Sequence, residues 1–135
     1  MLLFFFGIFV VLHGLVHLLY LGQSQRYFEL QPGMTWPDGA WAFSKIMGSE
    51  ATRSLASLLC LLAAAILILG GIGILAKWGL SRQILVGGAV ISTLSYLLLW
   101  NGKVQGLDQQ GGIGILINLA LLAALLIFRW PRLGF

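Results

Sequence analysis

Charge is scarce in this chain. Only 9 % of its 135 residues are charged, and only 4 are acidic. Soluble domains carry about 25 % charged residues, so a chain this poor in charge cannot cover a water-facing surface. A soluble globular domain is excluded. The polar, charge-rich composition of disordered segments is also missing, and with it any reason for so much apolar surface to stay solvated. There is 1 cysteine, Cys60, which excludes a disulfide scaffold. There are 2 histidines, His13 and His17, too few for a histidine-built metal site. The net charge of +4 has no basic soluble face behind it, so no nucleic-acid partner is expected.

What remains is apolar. Hydrophobic residues make up 59 % of the chain, and the mean hydropathy is +0.97. Crossing the hydrocarbon core takes about 20 apolar residues in a helix. Four segments qualify: Leu2 to about Leu21, about Leu55 to Ala76, Gln83 to Trp100, and about Gly111 to Phe128. They are continuously apolar, without the alternation of a transmembrane β-barrel, and helices satisfy their own backbone in lipid. The first segment has no basic residue ahead of it and no small-x-small cleavage site after it, so it reads as a retained helix. The expected fold is all-α: one domain over residues 1–135, an integral membrane, antiparallel four-helix transmembrane bundle.

Four spans put both termini on one side with the connection between spans two and three. Lys77, Arg82, Arg129 and Arg132 lie there with no acidic residue. The other side holds Arg26, Lys45, Arg53 and Lys103 with Glu29, Asp38, Glu50 and Asp108. The basic residues crowd the short inner segments, so both termini are expected in the cytoplasm.

The outer loop over residues 22–48 is the one long connection. Helix one is read as continuing through Gln25, Arg26 and Glu29, which could pair, before Pro32-Gly33 stops it. Asp38 reads as the N-cap of a short turn carrying Trp41, Phe43, Ile46 and Met47, ended by Gly48. Ser49 and Ser81 read as helix starts. Trp36 and Trp41 place this loop on the membrane surface or over the bundle mouth. Gly70-Gly71-Ile72-Gly73-Ile74-Leu75 recurs as Gly111-Gly112-Ile113-Gly114-Ile115-Leu116. With no matching flanks, this reads as biased composition at close helix contacts, to which Gly7, Gly14, Gly87 and Gly88 also point.

Polar residues in lipid are costly and face the bundle interior or a cavity. His13, His17 and Tyr20 share one helix face by spacing. Ser57 and Cys60 lie on helix two, Ser92, Thr93, Ser95 and Tyr96 on helix three, and Asn118 on helix four. At the expected depths, all of them fall in the outer half of the bilayer. The inner half is apolar and glycine-rich, which argues against a channel or transport path through one chain.

The histidine pair has several readings. A metal site lacks a third ligand, and none is assigned. Bis-histidine haem needs ligands on opposite porphyrin faces, so haem requires pairing across a homodimer. A quinone or other apolar ligand needs only hydrogen bonds from His17 or Tyr96. Alternatively, both histidines are packing groups, hydrogen-bonded to facing helices. The sequence His13-Gly-Leu-Val-His17 lacks the glutamate of a zinc-protease helix, and Gly70 to Gly73 lacks the Lys-Ser/Thr of a phosphate-binding loop.

The length, the four spans, the His13-Gly14-Leu15 segment late in helix one and the longer first loop resemble the DoxX-like group of small four-helix membrane proteins. The resemblance implies proteins that accompany redox enzymes, some linked to sulfur compounds and quinone. The leading expectation is a small, non-catalytic accessory protein or complex subunit, whose polar outer half specifies packing or receives a partner. Its expected partners are the lipid bilayer and another membrane protein or a second copy of itself. The alternative is an outward-facing pocket for an apolar redox ligand, quinone or lipid, with His13 and His17 as hydrogen-bond or proton-exchange groups. Tyr96, Asn118, Ser57, Cys60, Ser92 and Ser95 are the other candidate ligand-binding residues.

Overall fold

The first apolar run has no proline to interrupt it, and it winds into α1, Leu2–Ser24, in the computed structural model, which describes residues 1–134. The helix stops earlier than its polar extension predicts. Tyr27 N donates to Gly22 O at 2.9 Å and Arg26 N to Gln23 O at 3.1 Å. This is the paired closing of a Schellman end, with Arg26 in the left-handed position at φ 61. Gln25, Arg26 and Glu29 therefore lie outside the helix. Arg26 does not pair with Glu29 and is bonded to Asp38 instead.

The second helix, α2, spans Ser44–Leu75 and is broken at Gly48, where φ is 78 and ψ 168. That region is open essentially to glycine alone. Gly48 thus separates a short first turn from the long apolar helix, and Thr52 Oγ1 bonds its carbonyl at 2.7 Å. Asp38 caps no helix, because it lies in a turn, residues 41–43 are also turns and the next helix starts at Ser44, and its carboxylate is occupied by two arginines. The third helix, α3, spans Ser81–Leu99. Ser81 is its first residue, not its cap: its hydroxyl donates back to Trp78 O at 2.7 Å.

The fourth apolar segment follows a short 3-10 turn, Leu107–Gln110. It forms α4, Gly112–Leu122, and runs on as a π-helical stretch, Ala123–Ile127. Three helices are long and apolar enough to cross a membrane, and this one is shorter. Gly111 at φ 91 and Arg129 at φ 49 delimit it. No strand occurs among the described residues.

Small residues decide how closely α1 and α2 approach. Ala56, Cys60, Ala64, Gly71 and Ile74 lie along the buried side of α2. A Cβ on Gly71 would sit 2.9 Å from Gly7 O and 3.0 Å from Val11 N. A Cβ on Gly14 would meet Ile68 and Leu67, and one on Gly88 would meet Ile66 and Leu67. Gly87 and Gly114 face open space instead, so neither serves a close helix contact. Two apolar clusters result. One gathers Val10, Leu67, Ile74, Leu85, Leu121 and Leu125. The other gathers Met34, Trp36, Ala40, Ala56, Cys60, Tyr96 and Leu99.

The loop after α1 folds back over the second cluster. Gln23 holds it from beneath, donating to Met34 O at 2.9 Å and accepting from Leu30 N at 2.8 Å. Trp36 is buried, with its ring 5.1 Å from Tyr20 and 5.8 Å from Tyr96. Trp41 stays exposed, but its indole N–H donates to Leu97 O at 2.7 Å. Of the two sequence-based placements, Trp36 thus lies over the helix ends.

Asp38 ties this loop to α2. Arg53 forks onto both carboxylate oxygens at 2.8 Å each, and Arg26 reaches Oδ2 at 2.9 Å. The Arg53 hydrogen bonds, aided by the charge of Arg26, hold the Asp38 carboxyl below its ordinary value of 3.8. A carboxylate lowered on folding contributes stability that is complete above the unfolded value and fades as pH falls through the folded one. The wild-type thermal midpoint is therefore expected to drop as pH falls below about 4. Asp38→Asn should lower the midpoint at neutral pH and flatten that acid limb. An unchanged acid limb in the variant would count against the pairing.

Candidate functional site

Between the two apolar clusters lies a single layer of polar side chains. α1 contributes His13 and His17, one turn apart on its buried face. α3 contributes Ser92 and α4 contributes Asn118. Ser92 and Asn118 are fully buried, and His17 is 1 % exposed.

Four hydrogen bonds join them into a circuit. His17 Nδ1 lies 3.0 Å from His13 O, and His17 Nε2 lies 2.6 Å from Ser92 Oγ. Asn118 Nδ2 donates to Ser92 Oγ at 2.8 Å, and Asn118 Oδ1 lies 2.7 Å from His13 Nε2. Elementary donor chemistry orients every bond for neutral rings. A carbonyl only accepts, so His17 Nδ1 donates to His13 O. Its Nε2 is then an acceptor, and the Ser92 hydroxyl donates to it. Asn118 Oδ1 also only accepts, so His13 donates through Nε2. The remaining His13 nitrogen, Nδ1, is an acceptor with no hydrogen-bond partner among the described residues.

Beside this circuit is a cavity of about 250 Å³. His13, His17, Tyr20, Tyr96, Asp108 and Gly114 line it, with Val16, Ile113 and Ile117 supplying apolar wall. The Tyr20 and Tyr96 rings meet edge to face at 5.1 Å, and Tyr96 lies 5.5 Å from His17. The Tyr20 hydroxyl donates to Gln109 O at 3.2 Å. The cavity is thus lined by aromatic, imidazole and acidic residues together with aliphatic ones.

The structure brings together five of the eight candidate residues. His13, His17, Ser92 and Asn118 form the circuit, and Tyr96 joins the two histidines in the cavity wall. Cys60 is buried in the same apolar cluster as Tyr96 and Trp36 and does not line the cavity. Ser57 bonds Ser24 at 2.6 Å and Arg53 O at 2.9 Å, away from the histidines. Ser95 bonds back to Ile91 O at 2.7 Å within its own helix. Asp108, Gly111 and Gly114 also line the cavity; the two glycines belong to the repeat read as helix-contact composition, and no local pattern marks Asp108. Tyr20 did have a signal: it shares the histidine face.

Among the described residues, no group of three or more His, Cys, Asp and Glu side chains is placed to hold a metal ion. Haem ligation by His17 would have to break its bond to Ser92 in a buried setting. Comparison with protein families, with curated proteins and with solved structures returns no match for this chain.

Proposed function

We propose that this chain is a multi-pass integral membrane protein whose cavity beside His13 receives a small apolar molecule with a hydrogen-bonding head, of the quinone class. The cavity carries this reading. A network serving packing alone would be closed in by neighbouring side chains. Here two tyrosines, two histidines and a carboxylate meet around open volume, and His13 retains an unused acceptor nitrogen. Ligand sites combine apolar walls with a few convergent polar groups, and a volume of this size suits a head group better than a drug-sized ligand. His13 Nδ1 would accept from a hydroxyl of the reduced, quinol form, and Tyr96 would bound the ring. No activated nucleophile accompanies these groups, so the role is one of binding. An accessory place beside a redox enzyme is also what the DoxX-like resemblance implies.

Membrane insertion as an antiparallel bundle has its own support. Gly7 pairs with Leu75, Gly14 with Ile68 and Ser24 with Ser57, ascending one helix while descending the other. Outward-facing apolar side chains such as Phe5 at 60 %, Leu58 at 61 % and Leu116 at 67 % exposure need a lipid surround. α4 and its π-helical continuation have 11 and 5 residues, roughly 24 Å of helix. Flanking Arg129 and Trp130 would make up the difference to the hydrocarbon thickness by anchoring at the interface. The basic residues of the shorter connections support a cytoplasmic side for both termini.

Gly114 provides the test. It lines the cavity, and a Cβ there meets nothing within 4 Å. Gly114→Leu fills the volume while leaving all four circuit residues in place. A ligand that binds only the folded state raises the thermal midpoint. A short-chain benzoquinol, the reduced form that carries the donating hydroxyl, is expected to raise the midpoint of the solubilised wild type and to leave Gly114→Leu unmoved. Equal shifts in both proteins, or none in the wild type, would refute the assignment.

A further inference from the structure

The opposite end of the helices carries a second feature. Arg82, Arg129 and Arg132 line one concavity of about 570 Å³, together with Gln83, Phe128 and Leu133. Among the described residues, no Asp or Glu lines it. Glu29, Asp38, Glu50 and Asp108 all belong to the connection after α1, the start of α2 and the turn before α4. Both ion pairs among the described residues are formed there, on Asp38.

Three elements build the concavity. α3 brings Arg82 and Gln83 in its first turn, where backbone N–H groups are still without helical partners and the helix dipole is positive. The end of α4 brings Phe128 and Arg129. Arg129 is held in the left-handed region at φ 49, which costs about 1–2 kcal/mol for a residue with a side chain. Trp130 fixes the segment beyond: its N–H donates to Ala124 O at 2.8 Å, and its ring meets Phe6 edge to face at 5.8 Å. Arg132 then returns to the same concavity. The three arginines thus share one concavity by construction, while Phe128, at 74 % exposure, adds an apolar margin.

We propose that this concavity binds the phosphate group of an anionic phospholipid. Planar guanidinium forks match phosphate oxygens in pairs, and Arg serves this better than Lys. Basic pockets beside membrane-embedded helices take anionic lipid head groups for the same reason. The apolar margin favours a lipid over a free anion, since acyl chains would continue along Phe128 and Leu133. A diffuse positive surface is the competing account. It predicts no difference between Arg82, Arg129 and Arg132 on one hand and Lys77 on the other. Lys77 is at the same end but outside the concavity.

Native mass spectrometry of the full chain in mild detergent tests this, with phosphatidylglycerol or phosphatidylcholine added. The wild type is expected to retain one phosphatidylglycerol selectively. Substituting Arg82→Gln, Arg129→Gln and Arg132→Gln together should weaken that retention about tenfold or more, while Lys77→Gln leaves it unchanged. A triple Arg→Lys protein keeps the charge and loses the forks, and should fall between the two. Helical content by circular dichroism must match wild type in each. Equal retention of phosphatidylcholine, or an equal loss in Lys77→Gln, would overturn the site. Displacement of the lipid by millimolar inorganic phosphate would reassign it to a soluble anion and overturn the lipid proposal.

Discussion

Gly71→Ala is expected to destabilise the protein by about 1–3 kcal/mol, the usual range for forcing extra atoms into a packed contact. The added methyl would meet Gly7 O at 2.9 Å and Val11 N at 3.0 Å. Both are backbone atoms, which cannot rotate away as the tip of a side chain can, so α1 and α2 must separate. Such separation would be felt along the whole α1–α2 contact, because Gly14 packs against Ile68 with similar closeness. Gly87→Ala is the matched control. Its methyl meets nothing within 4 Å, and removing a mid-helix glycine stabilises by roughly 0.5–1 kcal/mol. Thermal unfolding in one detergent should therefore move the two variants in opposite directions. Movement in the same direction would mean that the α1–α2 approach is looser than described.

The second large effect is expected at Asn118. Leucine is close to it in volume but can neither accept from His13 nor donate to Ser92. Asn118→Leu leaves a buried imidazole N–H without its partner, at a cost of about 1–3 kcal/mol. Measured hydrogen bonds between membrane helices average about 0.6 kcal/mol, and the buried donor left without a partner raises the cost above that. The informative comparison is the double variant His13→Leu/Asn118→Leu. Removing both partners removes the orphaned donor, so the double variant should be more stable than the two single losses predict together. Strict additivity would mean that the two side chains do not interact. Chemical unfolding of the three variants beside wild type supplies the cycle.

The sequence carried the polar layer in part. His13, His17 and Tyr20 declare a common face because helix periodicity is local. Ser92 and Asn118 are visible as isolated polar residues in apolar runs, and the price of burying them implies a partner. Which partner is not implied. Ser57 and Ser95 look equivalent to Ser92 along the chain, yet Ser57 bonds Ser24 and Ser95 bonds its own helix. Helix rotation and register separate the three, and both are set by glycine contacts between helices. The loop was misread for a related reason. Asp38 has the composition of a cap, and its actual partners are Arg26 and Arg53, the latter 15 residues away.

Composition and unbroken apolar runs were enough to determine a helical chain; of the four spans they suggested, three are helices long and apolar enough to cross a membrane and the fourth is shorter. Gly48 was legible as the end of a short turn, and there the chain takes a conformation that other residues avoid. These are properties of consecutive residues, so the linear order contains them. Tertiary structure alone decided that His13, His17, Ser92 and Asn118 form one directed circuit, that Asp108 and Gly114 stand beside it around open volume, and that three arginines from two helix ends share a concavity. Each of these depends on the distance between segments far apart in the chain, and that distance comes from side-chain packing that no local pattern encodes.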